Sequence, residues 1–128
     1  MSTLSERVLG CAVQVREALG CGFLEKVYEN ALVHELRKCG LHVEQQKAIP
    51  VRYDGIVVGD YVADLIVEGR ILIELKAVSS FAAAHTAVCL NYLRATNLPL
   101  CLLLNFGRTR IEIKRLVGDR YVDCPEPL

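Results

Sequence analysis

The residues of this chain best suited to chemistry lie on two predicted strands that are joined by a short turn. Asp64 lies on the first strand, and Glu74 and Lys76 lie two positions apart on the second. If residues 68–70 form a three-residue loop, the antiparallel register places Asp64 directly opposite Glu74. Two side chains in such a position have Cβ atoms about 5 Å apart, where like charges destabilise the strand pair. The two carboxylates therefore require a partner that offsets their repulsion.

A divalent cation is the partner that this arrangement favours. Two carboxylates and water molecules are a typical environment for Mg²⁺, and Mn²⁺ accepts similar ligands. Such an ion lowers the pKa of water and stabilises negative charge, while a neighbouring lysine helps to orient the nucleophile. We therefore interpret Asp64, Glu74 and Lys76 as the outline of a phosphoryl-transfer site.

The E-x-K pattern alone carries little weight, because it also arises by chance. Glu112 and Lys114 repeat it in a later segment, which we interpret as a solvated strand face with a surface ion pair. The first occurrence differs because Asp64 lies upstream, at a position that a hairpin brings opposite Glu74. Asp64 is therefore the residue on which the functional interpretation depends.

A third acid belongs to a predicted helix. Apolar residues recur at helical spacing from Leu24 to Leu36, and the helix should end at Gly40, which favours a left-handed cap. Glu25 falls within the apolar stripe, and a carboxylate on an inward face requires a partner. Glu35 falls within the same stripe, so either acid is alternatively a partly exposed edge residue or the partner of an arginine.

The elements that must position these residues follow from hydrophobic periodicity and turn signals. The predicted order is α-α-β-β-β-α-β-β. We expect a first helix from the capping box of Thr3 and Glu6 to Gly20, strands at residues 43–52, 56–67, 70–78, 98–105 and 109–117, and a third helix from Ser79 or Ser80 to about Thr96. A strand, a helix and a strand in succession normally join parallel neighbours, so the sheet should be mixed. Pro50 cannot donate to a ladder, which places the first strand at an edge or bends it.

Length and composition indicate one folded domain. The chain has 128 residues, of which 52% are hydrophobic and 23% are charged, and this balance excludes intrinsic disorder. We expect a single domain with a core at about residues 5–118 and a tail at 119–128. No apolar run reaches the roughly 18 residues of a membrane-spanning helix, so we expect no association with a membrane.

Charge and cysteine content bear on partners and location. Fifteen basic side chains balance fifteen acidic ones, although residues 70–115 carry seven basic and two acidic side chains and suit a polyanion. Six cysteines lie apart without a C-x-x-C pair, which is typical of free thiols in a reducing compartment. We therefore expect a cytoplasmic protein without zinc or a nucleotide cofactor.

Five short motifs, taken together, resemble the GxxExxY family. They are, in chain order, G-x-x-E-x-x-Y from Gly22 to Tyr28, Tyr61-Val62-Ala63-Asp64, Ile73-Glu74-Leu75-Lys76, Asn91-Tyr92-Leu93 and Asn105-Phe106-Gly107. The resemblance covers roughly residues 5–118. This family is similar in turn to the PD-(D/E)XK nuclease superfamily, whose αβββαβ core agrees with the predicted order. The resemblance implies an α/β fold with a mixed sheet, a nuclease-like αβββαβ core with flanking helices, and a metal-dependent nuclease that acts on DNA or RNA.

The resemblance also implies a role for each matched residue. Asp64 and Glu74 would be ligands of Mg²⁺ or Mn²⁺, and the backbone carbonyl of Leu75 would be a further ligand. Lys76 would be the catalytic lysine. Glu25 would be the acid that completes the site from the helix, and it is a further candidate for a metal ligand.

One position departs from the family pattern. The helix after the E-x-K strand often carries glutamine where this chain has Val88, between His85 and Tyr92 on one helical face. Either the polar role passes to His85, or the site is weakened. The alternative function is a catalytically weak or inactive nuclease-fold module that binds nucleic acid or a protein partner.

Residues that bind substrate are harder to predict. Arg108 and Arg110 follow an apolar strand and can place cations near a phosphate backbone, although a solvated turn is the alternative. His85 and Tyr92 are further candidates. The aromatic residues are dispersed along the chain, which argues against a dedicated stacking surface. Analogy with other small nucleases leaves room for a homodimer.

Overall fold

The computed structural model describes residues 2–118, so the predicted tail at 119–128 and Cys124 lie outside the described residues. The elements are α1 (Leu4–Leu19), α2 (Glu25–Lys38), β1 (Val43–Tyr53), β2 (Ile56–Val67), β3 (Ile71–Lys76), α3 (Ala83–Thr96), β4 (Leu100–Asn105) and β5 (Glu112–Val117). The strands form one sheet in the order β1-β2-β3-β4-β5. β3 and β4 run parallel, and the other neighbours run antiparallel. The predicted element order and mixed sheet are confirmed, and β1 lies at an edge.

The hairpin of β2 and β3 has the predicted register. Its pairs run from Val67 opposite Ile71 to Leu65 opposite Ile73. In the turn between the strands, Gly69 has a φ of +62°, a left-handed conformation that glycine adopts at little cost. The next pair along this register consists of the two predicted acids. The hairpin therefore has the register that the sequence analysis needed in order to place Asp64 opposite Glu74.

Three predicted strand boundaries were wrong by two or three residues. β3 ends at Lys76 rather than at Val78, because the side chain of Asn105 binds both backbone groups of Val78. Its Oδ1 accepts from the Val78 N–H at 3.0 Å, and its Nδ2 donates to the Val78 carbonyl at 2.9 Å. β4 starts at Leu100, since Pro99 has no N–H for the ladder. β5 also starts later than predicted, because a bend at residues 107–110 precedes it.

The start of α3 also differs from the prediction. The helix begins at Ala83, beyond Ser79 and Ser80, so neither serine is its cap. Nδ1 of His85 instead accepts the N–H of Ala82 at 3.0 Å. A side chain from the first turn therefore satisfies a backbone donor at this helix end, where the sequence analysis expected a serine hydroxyl.

The sheet lies between two layers of apolar side chains. α1 and α2 pack on one face and α3 packs on the other. β4 is buried along its whole length, and β3 is buried at every position except Lys76, which is half-buried. Each fully buried aliphatic side chain stabilises the fold by roughly 2 kcal/mol. The strand that carries the first E-x-K is therefore held between two layers, and its charged residues lie where the core ends.

Two further observations concern the described residues. Their cysteines are free thiols, of which Cys11, Cys89 and Cys101 are buried while Cys21 and Cys39 are exposed. None of the described helices combines the length and the apolar character that crossing a membrane demands.

Candidate active site

Asp64 and Glu74 lie at the end of the β2–β3 ladder, where each carboxylate binds the backbone of the opposite strand. The Asp64 N–H donates to Oε2 of Glu74 at 3.2 Å, and the Leu75 N–H donates to Oδ2 of Asp64 at 2.9 Å. The side chains thereby take the place of the backbone pair that would follow Leu65 and Ile73. Backbone donors therefore hold the two predicted acids together.

Glu74 is almost fully buried, with 6% of its surface exposed. Burial raises its pKa to about 10, and a hydrogen bond with Asp64 and the negative charge of Asp64 add to the effect. Two adjacent carboxylates in such an environment do not both ionise at neutral pH. Without a cation, burial and the neighbouring carboxylate therefore favour the protonated form of Glu74. Strongly shifted pKa values of this kind are typical of functional sites.

A small cavity of about 130 Å³ opens beside the two acids. Lys76 lines it from the end of β3 and, two residues after Glu74, shares a strand face with that acid. The remaining lining residues come from β2 and α3 and are Val62, Asp64, His85, Val88, Cys89 and Tyr92. The structure thus brings Asp64, Glu74 and Lys76 to one cavity, while their catalytic and metal-binding roles stay predictions.

Glu25 is the first residue of α2 and is half-buried. Burial raises its pKa, the positive charge of Lys76 opposes the shift, and the negative charges of Asp64 and Glu29 add to it. Glu25 therefore lies within electrostatic range of the site, but it does not line the cavity. Within residues 2–118, no three His, Cys, Asp or Glu side chains form a group that could hold a metal ion. A role for Glu25 as a ligand beside the two strand acids stays a prediction.

A buried acid that the sequence analysis missed connects α2 to the site. Glu29 is 2% exposed and accepts hydrogen bonds from Lys26 at 2.9 Å and from Gln45 at 2.7 Å. Gln46 also donates to Glu29 at 3.0 Å, and the same amide nitrogen lies 3.3 Å from Oδ1 of Asp64. Gln46 thereby bridges an acid of α2 and an acid of β2.

The sequence contained a signal for one of these two missed residues. Glu29 follows Glu25 by four positions, so both lie on one helical face. Gln46 has a φ of +52°, which is uncommon for a residue other than glycine and gives no pattern in the sequence. Glu35, the other acid in the apolar stripe, is half-buried and pairs with Lys38 at 3.1 Å.

Comparison with known proteins identifies the superfamily. The family model of the PD-(D/E)XK nuclease superfamily matches residues 2–116. The chain belongs to this superfamily. The crystal structure of an alkaline exonuclease from Laribacter hongkongensis is similar in fold, with a TM-score of 0.50 and 13% sequence identity, over 98% of this chain and 76% of that chain. A search of curated proteins finds no significant sequence match. The narrower assignment to the GxxExxY family stays a prediction.

Four residues of α3 line the cavity of this PD-(D/E)XK chain, namely His85, Val88, Cys89 and Tyr92. Val88, where the GxxExxY pattern often has glutamine, is 43% exposed and lines the cavity. His85 and Tyr92 line it as well. Because Nδ1 of His85 accepts the Ala82 N–H, only its other ring nitrogen is left to meet a ligand. Burial raises the pKa of Tyr92 to about 12, and the charges of the two strand acids add to this shift.

Arg108 and Arg110 lie elsewhere. Both are exposed on the loop between β4 and β5, and neither lines the cavity beside the acids. The carbonyl of Arg108 accepts a hydrogen bond from Nε of Arg16 at 2.9 Å, which fixes the loop to α1. A contact between these arginines and a phosphate backbone outside the cavity stays a prediction.

The residues present fit a divalent cation such as Mg²⁺ or Mn²⁺. The carboxylates of Asp64 and Glu74 offer the oxygen ligands that these ions prefer, and the carbonyl of Leu75 is a further candidate. Among residues 2–118, neither carboxylate forms an ion pair with a basic side chain. A bound cation would therefore offset both the burial of Glu74 and the neighbouring charge of Asp64, which raise the pKa of Glu74.

Proposed function

We propose that this protein is a metal-dependent nuclease that hydrolyses phosphodiester bonds of DNA or RNA, and that it is a member of the GxxExxY family. The main support for the proposal is that the carboxylates of Asp64 and Glu74, each bound to the backbone of the opposite strand, line one cavity together with Lys76. Membership of the PD-(D/E)XK superfamily supports the same reaction class. The basic excess of residues 70–115 suits a polyanionic substrate.

Asp64 and Glu74 would hold Mg²⁺ or Mn²⁺, with the Leu75 carbonyl as a further ligand. When bound, the ion supplies a Lewis acid that lowers the pKa of water and offsets negative charge on the phosphate. Glu74 must release its proton in order to act as a ligand, so metal affinity should rise with pH. The backbone donors at Asp64 and Leu75 fix the carboxylates beforehand, which limits the reorganisation that binding requires.

Lys76 would orient the attacking water and donate to a phosphate oxygen. Its position on the strand face of Glu74 brings its ammonium group to the cavity that the phosphate would enter. Glu25 would help to position Lys76, because the charge of Lys76 interacts with the Glu25 carboxyl. The leaving 3′ or 5′ oxygen would take up a proton from solvent, since no described group is assigned that role.

Cleavage assays on the purified protein test this proposal. The wild type should cut DNA or RNA when Mg²⁺ or Mn²⁺ is added and should not cut in EDTA. Glu74→Gln and Lys76→Ala should each lower the rate about 100-fold or more, in the range that positioned catalytic groups contribute. Equal cleavage by the wild type and both variants would show that a contaminating nuclease is responsible.

The second E-x-K provides a matched control. Lys114 is exposed and donates to Thr86 at 2.8 Å, and Glu112 accepts from Asn105 at 3.1 Å. The expected surface ion pair between Glu112 and Lys114 is not formed among the described residues, because each side chain has another partner. Lys114→Ala should therefore cleave like the wild type.

A second candidate function is a non-catalytic module that binds nucleic acid or a protein partner. Val88 favours it, because an apolar side chain lines the cavity where the family pattern often has glutamine. Under this function the wild type should bind an oligonucleotide without cutting it in either metal. A melting scan separates the two candidates, since only the nuclease gains stability from Mn²⁺ through its two acids.

A further inference from the structure

A larger groove lies next to the candidate active site. It has a volume of about 800 Å³ and is bounded by the β1–β2 hairpin on one side and α3 on the other. Its floor contains apolar side chains, including Ile49 and Ile66, and Tyr61 and Asn91 stand on its walls. The cavity beside the acids, by contrast, measures about 130 Å³ and has room for little beyond a phosphate and its surroundings. A polymeric substrate therefore needs additional surface, and this groove provides it.

Two tyrosines form the boundary between the groove and the cavity. Tyr61 lines the groove and Tyr92 lines the cavity, and their rings make an edge-to-face contact with centroids 5.2 Å apart. Tyr61 is 42% exposed, so part of its ring is open to a ligand. Two of the aromatic residues that are dispersed in the sequence therefore meet where the cavity and the groove adjoin.

The groove carries an excess of positive charge. Lys47, Arg52 and Arg94 line it together with the acid Glu44. Glu44 pairs with Lys47 at 2.8 Å, which leaves the two arginines without an acidic partner among residues 2–118. Arg94 contacts the side-chain oxygen of Asn91 at 3.4 Å. Two uncompensated guanidinium groups above an apolar floor suit a ligand with both anionic and flat apolar parts.

We propose that this groove binds a single strand of nucleic acid next to the phosphate that is cleaved, an inference that rests on the proposed nuclease function. Arg52 and Arg94 contact backbone phosphates, and a base stacks on Tyr61. A duplex keeps its bases inside the stack, whereas a single strand presents them to an aromatic ring and an apolar floor. The groove thus favours single-stranded DNA or RNA, or the unpaired end of a duplex.

Binding measured in EDTA tests this inference without requiring cleavage. Fluorescence anisotropy would compare the wild type with Arg52→Glu and Arg94→Glu, using a labelled 12-mer single strand and the duplex of the same sequence. Each variant should weaken single-strand binding about tenfold at low salt and reduce the salt dependence. Lys38→Glu is the matched charge reversal, since Lys38 is exposed at the end of α2 on the opposite face of the sheet, and it should bind like the wild type.

The tyrosine gives a second, uncharged test. Tyr61→Leu should weaken single-strand binding about fivefold or more, and Tyr61→Phe should retain it, because stacking requires only the ring. The inference would be overturned if the wild type did not bind the single strand, or if every groove variant bound it as tightly as Lys38→Glu does.

Two further outcomes separate the groove from the nuclease proposal. Single-strand binding that depends on the groove residues, without cleavage in Mn²⁺, would support the groove and refute the nuclease proposal. Metal-dependent cleavage, with single-strand binding unchanged in the groove variants, would support the nuclease proposal and refute the groove.

Discussion

The carboxylates of Asp64 and Glu74 each bind the backbone of the strand that carries the other. The fold thereby holds two acids together in a place where burial raises the pKa of Glu74 to about 10. Such an arrangement costs stability when both carboxylates are charged, because the repulsion is not offset by any basic partner among residues 2–118. A divalent cation would offset this repulsion, because both carboxylates supply the oxygen ligands that it prefers.

The stability of the metal-free protein should fall as the pH rises. The pKa of Glu74 is about 10 in the folded state, against 4.5 for the free side chain. A raised pKa stabilises the fold fully below the unfolded value and loses that effect progressively as the pH rises toward the folded value. Urea unfolding in EDTA should therefore show a loss of about 3 kcal/mol between pH 6 and pH 8, at about 1.4 kcal/mol per pH unit for one group. Glu74→Gln should remove most of this slope, and an identical slope in the variant would assign the effect to other groups.

Metal should stabilise the wild type through Asp64. Saturating Mn²⁺ at 100 times its Kd should raise the free energy of unfolding by about 2.7 kcal/mol, because the ion binds only the folded state. Asp64→Asn should gain little from Mn²⁺, since it removes one of the two carboxylate ligands. A thermal scan of both proteins with and without the ion measures this. An equal shift in the two proteins would place the ion elsewhere.

The bridge made by Gln46 should matter for metal affinity. Gln46→Ala removes the donor to Asp64, and residues that orient metal ligands typically change affinity about 10- to 100-fold. Gln45→Ala is the matched control, because Gln45 donates to Glu29 and to Asn30 and makes no hydrogen bond with Asp64. Calorimetric titration with Mn²⁺ should show weaker binding in the first variant alone. An equal loss of Mn²⁺ affinity in the two variants would mean that the hydrogen bonds to Glu29, which both glutamines make, affect the affinity, and that the hydrogen bond from Gln46 to Asp64 does not.

A polar residue at position 88 should increase activity. Val88 lines the cavity and is 43% exposed, so Val88→Gln introduces an amide near the substrate without leaving a polar group buried. We expect kcat/KM for cleavage to rise several-fold, in proportion to one added hydrogen bond. Val88→Leu controls for size and should leave the rate unchanged. A rate that stays the same in Val88→Gln would show that this position makes no contact with the substrate.

The fold and the two strand acids could be predicted because local rules determine them. The short turn at Gly69 sets the register of the hairpin, and strand alternation then places Asp64 and Glu74 opposite each other. Other features depend on contacts between distant segments. The Asn105 side chain ends β3 early by binding Val78, and Tyr61 meets Tyr92 only because α3 crosses the hairpin. Such contacts leave no spacing or periodicity in the sequence from which they could be predicted.

Anomalous diffraction from a crystal soaked in Mn²⁺ tests directly whether the two strand acids hold a cation. We expect a single strong peak between the carboxylates of Asp64 and Glu74, within reach of the Leu75 carbonyl, and the loss of that peak in Asp64→Asn. A soaked crystal in which the carboxylates remain bound only to each other's strands, with no peak between them at saturating Mn²⁺, would contradict it.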